Sequence, residues 1–154
     1  MRIFTASPHS TLPISTIPPD IYEQVREFAL EITNAVLAED HALAESLYER
    51  FLSYHEEQLA AGRSHPFIVE TLADYTHDRA QAIRYYEQAL TMSQEMASDE
   101  PTHSILIDLA AQLIEVGQRE QAEAFIRDGR AEAVHRGDDY FIEEADRLLK
   151  EAVD

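Results

Sequence analysis

Seven histidines and thirty carboxylates are the residues in this 154-residue chain with the most evident capacity for chemistry. Imidazole nitrogens and carboxylate oxygens hold zinc or di-iron centres, and they also carry general acid and base steps. Two Glu-x-x-His pairs occur, Glu100/His103 and Glu132/His135. Helical di-iron bundles need two such pairs on facing helices, plus a lone Glu from each of two others. Here Glu100 stands beside Pro101 at a helix start and Glu132 near a helix end, so both pairs read as polar residues on acidic helices. Asp74/His77 and the run His55-Glu56-Glu57 read the same way. No His-Glu-x-x-His occurs, and without cysteine there is no thiolate nucleophile, no Cys-based zinc site and no disulfide. No serine sits in a Gly-x-Ser-x-Gly elbow, and four glycines leave little from which to build a phosphate loop. Catalytic residues, metal ligands and cofactor are therefore expected to be none, and the chain is not expected to be an enzyme.

The elements that must carry these side chains are helical. Apolar residues make up 45% of the chain, enough for a core, and the sequence after residue 19 is rich in Ala, Glu, Leu, Gln and Arg, good helix formers. Residues 1–19 are rich in Ser, Thr and Pro and lack any period, which predicts an extended or disordered arm. Asp20 followed by Glu23 resembles a capping box. Ile21, Val25, Phe28, Ile32 and Val36 then recur at spacings of four and three, one face of a helix. A second helix is expected from about His41 to Ala61, with a stripe of Leu43, Leu47, Tyr48, Phe51 and Leu52, ended by Gly62. After Arg63-Ser64-His65-Pro66 comes a shorter third helix with Phe67, Ile68, Leu72 and Tyr75. A fourth runs from about Asp78 to Ala97 with Ala82, Ile83, Tyr86, Ala89, Leu90 and Met96.

The fifth starts at Pro101, carries Ile105, Leu106, Leu109, Leu113 and Val116, and breaks at Gly117. The sixth, about Arg119 to His135, buries Ala122, Phe125, Ile126 and Gly129. The seventh, about Asp138 to Val153, carries Tyr140, Phe141, Ala145, Leu148 and Leu149. No segment alternates as a strand does. The class is all-α, with short turns that predict antiparallel helical hairpins in a single domain over 20–154.

Net charge is −18. Such a surface repels nucleic-acid phosphates and anionic lipid, so neither is an expected partner, and it would steer a basic protein. No stretch approaches a membrane span and residues 1–20 lack the apolar run of a signal peptide, so the expected location is cytoplasmic. Seven tyrosines, with no tryptophan, are a further interface signal, since Tyr packs its ring and bonds at its edge. Tyr48 and Tyr86 read as core, whereas Tyr54, Tyr75 and Tyr85 stay open between core and interface.

Leu109-Ala110, Gly117, Ala122, Ile126 and Gly129 follow one another at the spacing of a tetratricopeptide repeat, which the chain resembles. Small residues in that pattern let two helices approach closely. Leu72-Ala73 with Ala82 and Ala89 form a second unit with a shortened turn, and Ala44, Tyr48 and Phe51 a weaker third. Ala44, Ala82 and Ala122 stand 38 and 40 residues apart, against 34 in the standard repeat, which is similar to the long-helix subclass. The family's Trp and closing Pro are absent.

The resemblance implies about three stacked helix pairs, a short solenoid, with the last helix as a cap. It also implies a partner-binding concave face. The matching positions are Glu70, Asp74 and His77 in the middle unit, and Ile107, Ala111, Ile114 and Glu115 in the last.

The expected function is a protein-protein interaction module that binds a protein or peptide, with a basic surface as its counterpart. One alternative is a toxin-immunity or chaperone-type neutraliser of one cognate basic protein, which suits a small acidic chain. A second alternative is a helical-bundle enzyme or metal protein. A third is a homo-oligomer built through the first or last helix.

Overall fold

A computed structural model of the protein describes residues 17–96 and 100–154. The expected arm lies outside the described residues up to position 16, as does Ala97 at the expected end of the fourth helix. Among the described residues there are seven α-helices and no strand. They are α1 (Pro19–Leu37), α2 (His41–Ala60), α3 (Pro66–Asp74), α4 (Arg79–Glu95), α5 (His103–Glu115), α6 (Arg119–Arg136) and α7 (Asp139–Val153). None is long and apolar enough to cross a membrane. The chain divides into two compact units at Tyr85 and Tyr86, within α4.

In the first unit, a short turn at 38–40 brings α2 back along α1, and α3 packs on both. Ile21, Val25, Phe28, Ile32 and Ala35 of α1 meet Ala44, Leu47 and Phe51 of α2, with Ile68 and Leu72 of α3 closing the core. Phe28 and Phe51 stack with centroids 5.0 Å apart. Each such ring or branched chain taken out of water contributes roughly 1.5–3 kcal/mol. Tyr75 then ties α3 to α1. Its hydroxyl donates to the carbonyl of Ala29 at 3.1 Å and lies 2.8 Å from the Thr33 hydroxyl. Tyr48 on α2 makes the parallel link, 2.8 Å from the hydroxyl of Thr76.

In the second unit the packed helices are α5, α6 and α7. Buried faces of α5 (Ile105, Leu109, Ala110, Leu113), α6 (Ala122, Ile126, Gly129, Ala133) and α7 (Phe141, Ala145, Leu148) pack on one another. Ala82 in the first unit and Ala89, Ala122 and Gly129 in the second are all buried.

Three expectations are corrected at the edges of the core. Leu43, Val116 and Tyr140 are 47%, 45% and 52% exposed. The buried stripe on α2 runs Ala44, Leu47, Phe51, His55, which leaves Leu43 one position off it. Val116 caps α5 from outside the helix, and Tyr140 sits in the first turn of α7 with its ring edge-on to Phe141.

Helix ends also differ in detail. The start of α1 is set by Pro18 and Pro19 with no side-chain cap, so Asp20 is not the capping residue. Its carboxylate instead takes both ends of the Arg63 guanidinium, at 2.9 and 3.0 Å. The fork holds the Asp20 carboxyl below the usual carboxylate range. Helix α5 begins at His103, two residues beyond Pro101. Asp40 and Asp138 do cap, accepting from the amides of Leu43 at 3.1 Å and Phe141 at 3.4 Å.

Candidate functional site

The polar side chains that could do chemistry fall into separate places. In the second unit, the start of α5, the end of α6 and the start of α7 converge on a polar cluster. Nε2 of His103, a buried residue, lies 2.9 Å from Oδ2 of Asp138. Glu132 accepts from the Thr102 amide at 3.1 Å and from its hydroxyl at 2.7 Å, and pairs with Arg136 at 3.0 Å. The second members of the two Glu-x-x-His pairs therefore do not share a centre: His103 is committed to Asp138, and His135 is exposed. Among the described residues no three His, Cys, Asp or Glu are grouped to hold a metal ion. What the cluster does is satisfy the exposed donors at the start of α5 and lock three helix ends together.

Two histidines in the first unit are also structural in their surroundings. His65 caps α3, its Nδ1 accepting from the Phe67 amide at 3.0 Å. His55 is buried with its ring edge-on to Tyr85, and Nδ1 has no hydrogen-bond partner. Burial pushes its pKa below the ordinary value, against a small opposing pull from Glu56.

The residues expected to face a partner divide between the units. Glu70 and Asp74 lie one turn apart on α3; Glu70 is buried and Asp74 half-buried, while His77 follows the helix in the turn and is exposed. On α5, Ile107, Ala111 and Ile114 share one face. Ala111 and Ile114 are half-buried and Glu115 is exposed. Ile107 is fully buried, with its side chain against Gly129. It joins α5 to α6 and presents no surface to a partner.

A groove that spacing alone does not announce runs between α1 and α2. It is open, about 500 Å³ in volume, and is lined by Gln24 and Phe28 from α1 and by Ser46, Glu49, Arg50, Ser53, Tyr54 and Glu57 from α2. The α2 residues recur at spacings of three and four, one face over three turns. The Phe28 and Tyr54 rings, 5.7 Å apart, form the aromatic part of this lining. Burial, and next the Asp20 carboxylate, push the Tyr54 phenol above its ordinary pKa, while Arg63 pulls the other way.

Of the three tyrosines left open by the sequence, Tyr75 is thus core, Tyr85 flanks His55, and Tyr54 faces the groove. The helical period puts Tyr54 on the Ser46–Glu57 face, but only the tertiary pairing of α2 with α1 makes that face a groove. Comparison of the chain with protein-family models, with curated proteins and with solved structures finds no match.

Proposed function

We propose that this chain is a protein-interaction module of tetratricopeptide-like type, built from helix pairs, that binds a basic protein or peptide through its acidic surface. The observation that carries the reading is the joining of α5 to α6 through small buried residues, Ala122, Gly129 and Ala133, on a chain of net charge −18. Close helix pairs held by small residues make a stiff frame, and a stiff frame presents side chains to a partner without a large ordering cost. The charge speeds encounter with a basic surface and excludes acidic competitors. Asp74 and His77 in the first unit, and Ala111, Ile114 and Glu115 in the second, are the proposed contact positions. The alternative, a neutraliser of one cognate basic protein, draws on the same charge.

The test is capture from native lysate on immobilised protein, eluted by a salt gradient and identified by mass spectrometry. A basic protein released by moderate salt, and lost with the Asp74→Lys/Glu115→Lys double variant, supports the assignment. Undiminished capture by that variant removes those positions from it. Absence of any salt-eluted basic protein refutes the function.

A further inference from the structure

The α1–α2 hairpin is more acidic than the rest of the chain. Residues 19–60 hold ten Asp and Glu against two arginines, Arg26 and Arg50. The groove along this hairpin combines three features that bear on one kind of ligand. Its aromatic lining presents the half-buried Tyr54 ring, with Phe28 buried behind it against Phe51, and a guanidinium stacks on such a ring better than an ammonium. Its two carboxylates, Glu49 and Glu57, stand eight residues apart, about 12 Å at 1.5 Å per residue. The hydroxyls of Ser46 and Ser53 line the same face and can accept further N–H groups. Arg50 lies between the carboxylates in sequence and is, among the described residues, the one cation lining the groove.

We propose that this groove receives an extended segment of the basic partner carrying two arginines four residues apart, one at Glu49 and one at Glu57. In an extended chain, residues four apart point to the same side and lie about 13 Å from each other, which matches the separation of the two carboxylates. The groove is a contact additional to the positions on α3 and α5, and it rests on the basic-partner reading for the sign of its charge. Arg50 opposes the ligand, so its charge lowers affinity and its removal raises it.

The probe is a nine-residue peptide of Gly, Ala and Ser with arginines at positions three and seven, titrated into the full chain and followed by amide NMR shifts. A control peptide carries the two arginines side by side. The expected result is shifts confined to α1 and α2, with the spaced peptide bound more tightly than the control. Glu49→Gln/Glu57→Gln weakens binding by about five-fold or more, and Arg50→Gln tightens it by about two- to five-fold, the range of one or two exposed charge contacts. Asp74→Lys/Glu115→Lys leaves it within about two-fold. Since Arg50→Gln is expected to gain affinity, a misfolded variant cannot imitate support.

Equal affinity for the two peptides, no gain in Arg50→Gln, or an equal loss in the α3/α5 variant overturns the groove as a site. Failure of the wild-type chain to bind the spaced peptide also overturns it. If a basic lysate protein is still captured and salt-eluted, the groove alone is wrong; if neither binds, the interaction reading falls with it.

Discussion

Ile107 on α5 lies so close to Gly129 on α6 that a β-carbon at 129 would stand 2.8 Å from Ile107 Cγ1 and 3.2 Å from the His103 carbonyl oxygen. Glycine in mid-helix ordinarily costs about 0.5–1 kcal/mol relative to alanine, so Gly129→Ala would stabilise an unencumbered helix. Here the opposing atoms are a β-branched side chain with no exposure and a backbone carbonyl, neither of which yields easily. Gly129→Ala is therefore expected to lower stability by about 1–2 kcal/mol, and Gly129→Leu by more. Urea unfolding of these variants, and of each combined with Ile107→Ala, checks it. The penalty of Gly129→Ala should shrink when Ile107 is truncated, because the clash and the cavity share the same space.

Asp138 serves two helices at once, accepting from the first turn of α7 and from His103 at the start of α5. His103 is buried and its Nδ1 has no hydrogen-bond partner, so the Asp138 contact carries the ring's polar satisfaction. Asp138→Ala removes a helix cap and strands the second ring nitrogen, an expected loss of roughly 2–4 kcal/mol. Asp138→Asn keeps one acceptor oxygen, enough for the Phe141 amide, but puts an NH2 donor where the second oxygen faces His103, so it should lose less than Asp138→Ala without matching wild type. Chemical denaturation of the two variants separates the outcomes; equal losses would mean that the His103 contact, and not the helix cap, carries the stability that Asp138 supplies.

The seven helices are legible in the sequence because their apolar spacing is regular and their ends carry strong signals, such as Gly62, Gly117 and Gly137 with φ between 70° and 82°. The small residues of the last hairpin are legible for the same reason, since repeat spacing places Ala122 and Gly129 on one face. The resemblance to the tetratricopeptide pattern implies Ile107 on the partner side of α5, yet such a pattern does not reveal how deep a side chain lies. Ile107 is buried because its neighbour across the interface is a glycine. The Asp20–Arg63 fork and the His103–Asp138 contact join residues 43 and 35 positions apart, beyond any local rule. The α1–α2 groove is hidden likewise, as its lining comes from two helices and contains residues that look ordinary on either one.

His55 should give the first unit a pH dependence of its own. Burial holds its pKa below 6.5 in the folded chain, while the unfolded chain keeps the ordinary value. Between those two values the unfolded state binds a proton that the folded state does not, so stability falls as pH drops below about 6.5. The fall ends once pH is below the folded-state value, and above about pH 7.5 the histidine contributes no slope. Urea midpoints of wild type and His55→Leu at about pH 8, 6.5 and 5 isolate the effect. The variant should gain on wild type as pH falls; parallel curves would show that His55 titrates as it does in water.

Glu39 occupies, with φ of 58°, the same left-handed position that glycine occupies at 62, 117 and 137. The surrounding hydrogen bonds are the same as well. The Glu39 amide donates to Val36 at 3.0 Å and the Asp40 amide to Ala35 at 2.9 Å, as Gly137 and Asp138 donate to Val134 and Ala133 at 3.2 and 2.9 Å. This closing pattern requires the left-handed turn whatever residue fills it, and a β-carbon there meets the following carbonyl at a cost of roughly 1–2 kcal/mol. Glycine removes that strain but adds freedom to the unfolded chain, which offsets part of the gain. Glu39→Gly is therefore expected to raise stability by about 0.5–1 kcal/mol, and Gly62→Ala, the converse change in an equivalent turn, to lower it. Thermal and urea unfolding of the two variants against wild type checks the pair. A loss in Glu39→Gly would mean that its side chain contributes to the turn more than the backbone strain costs.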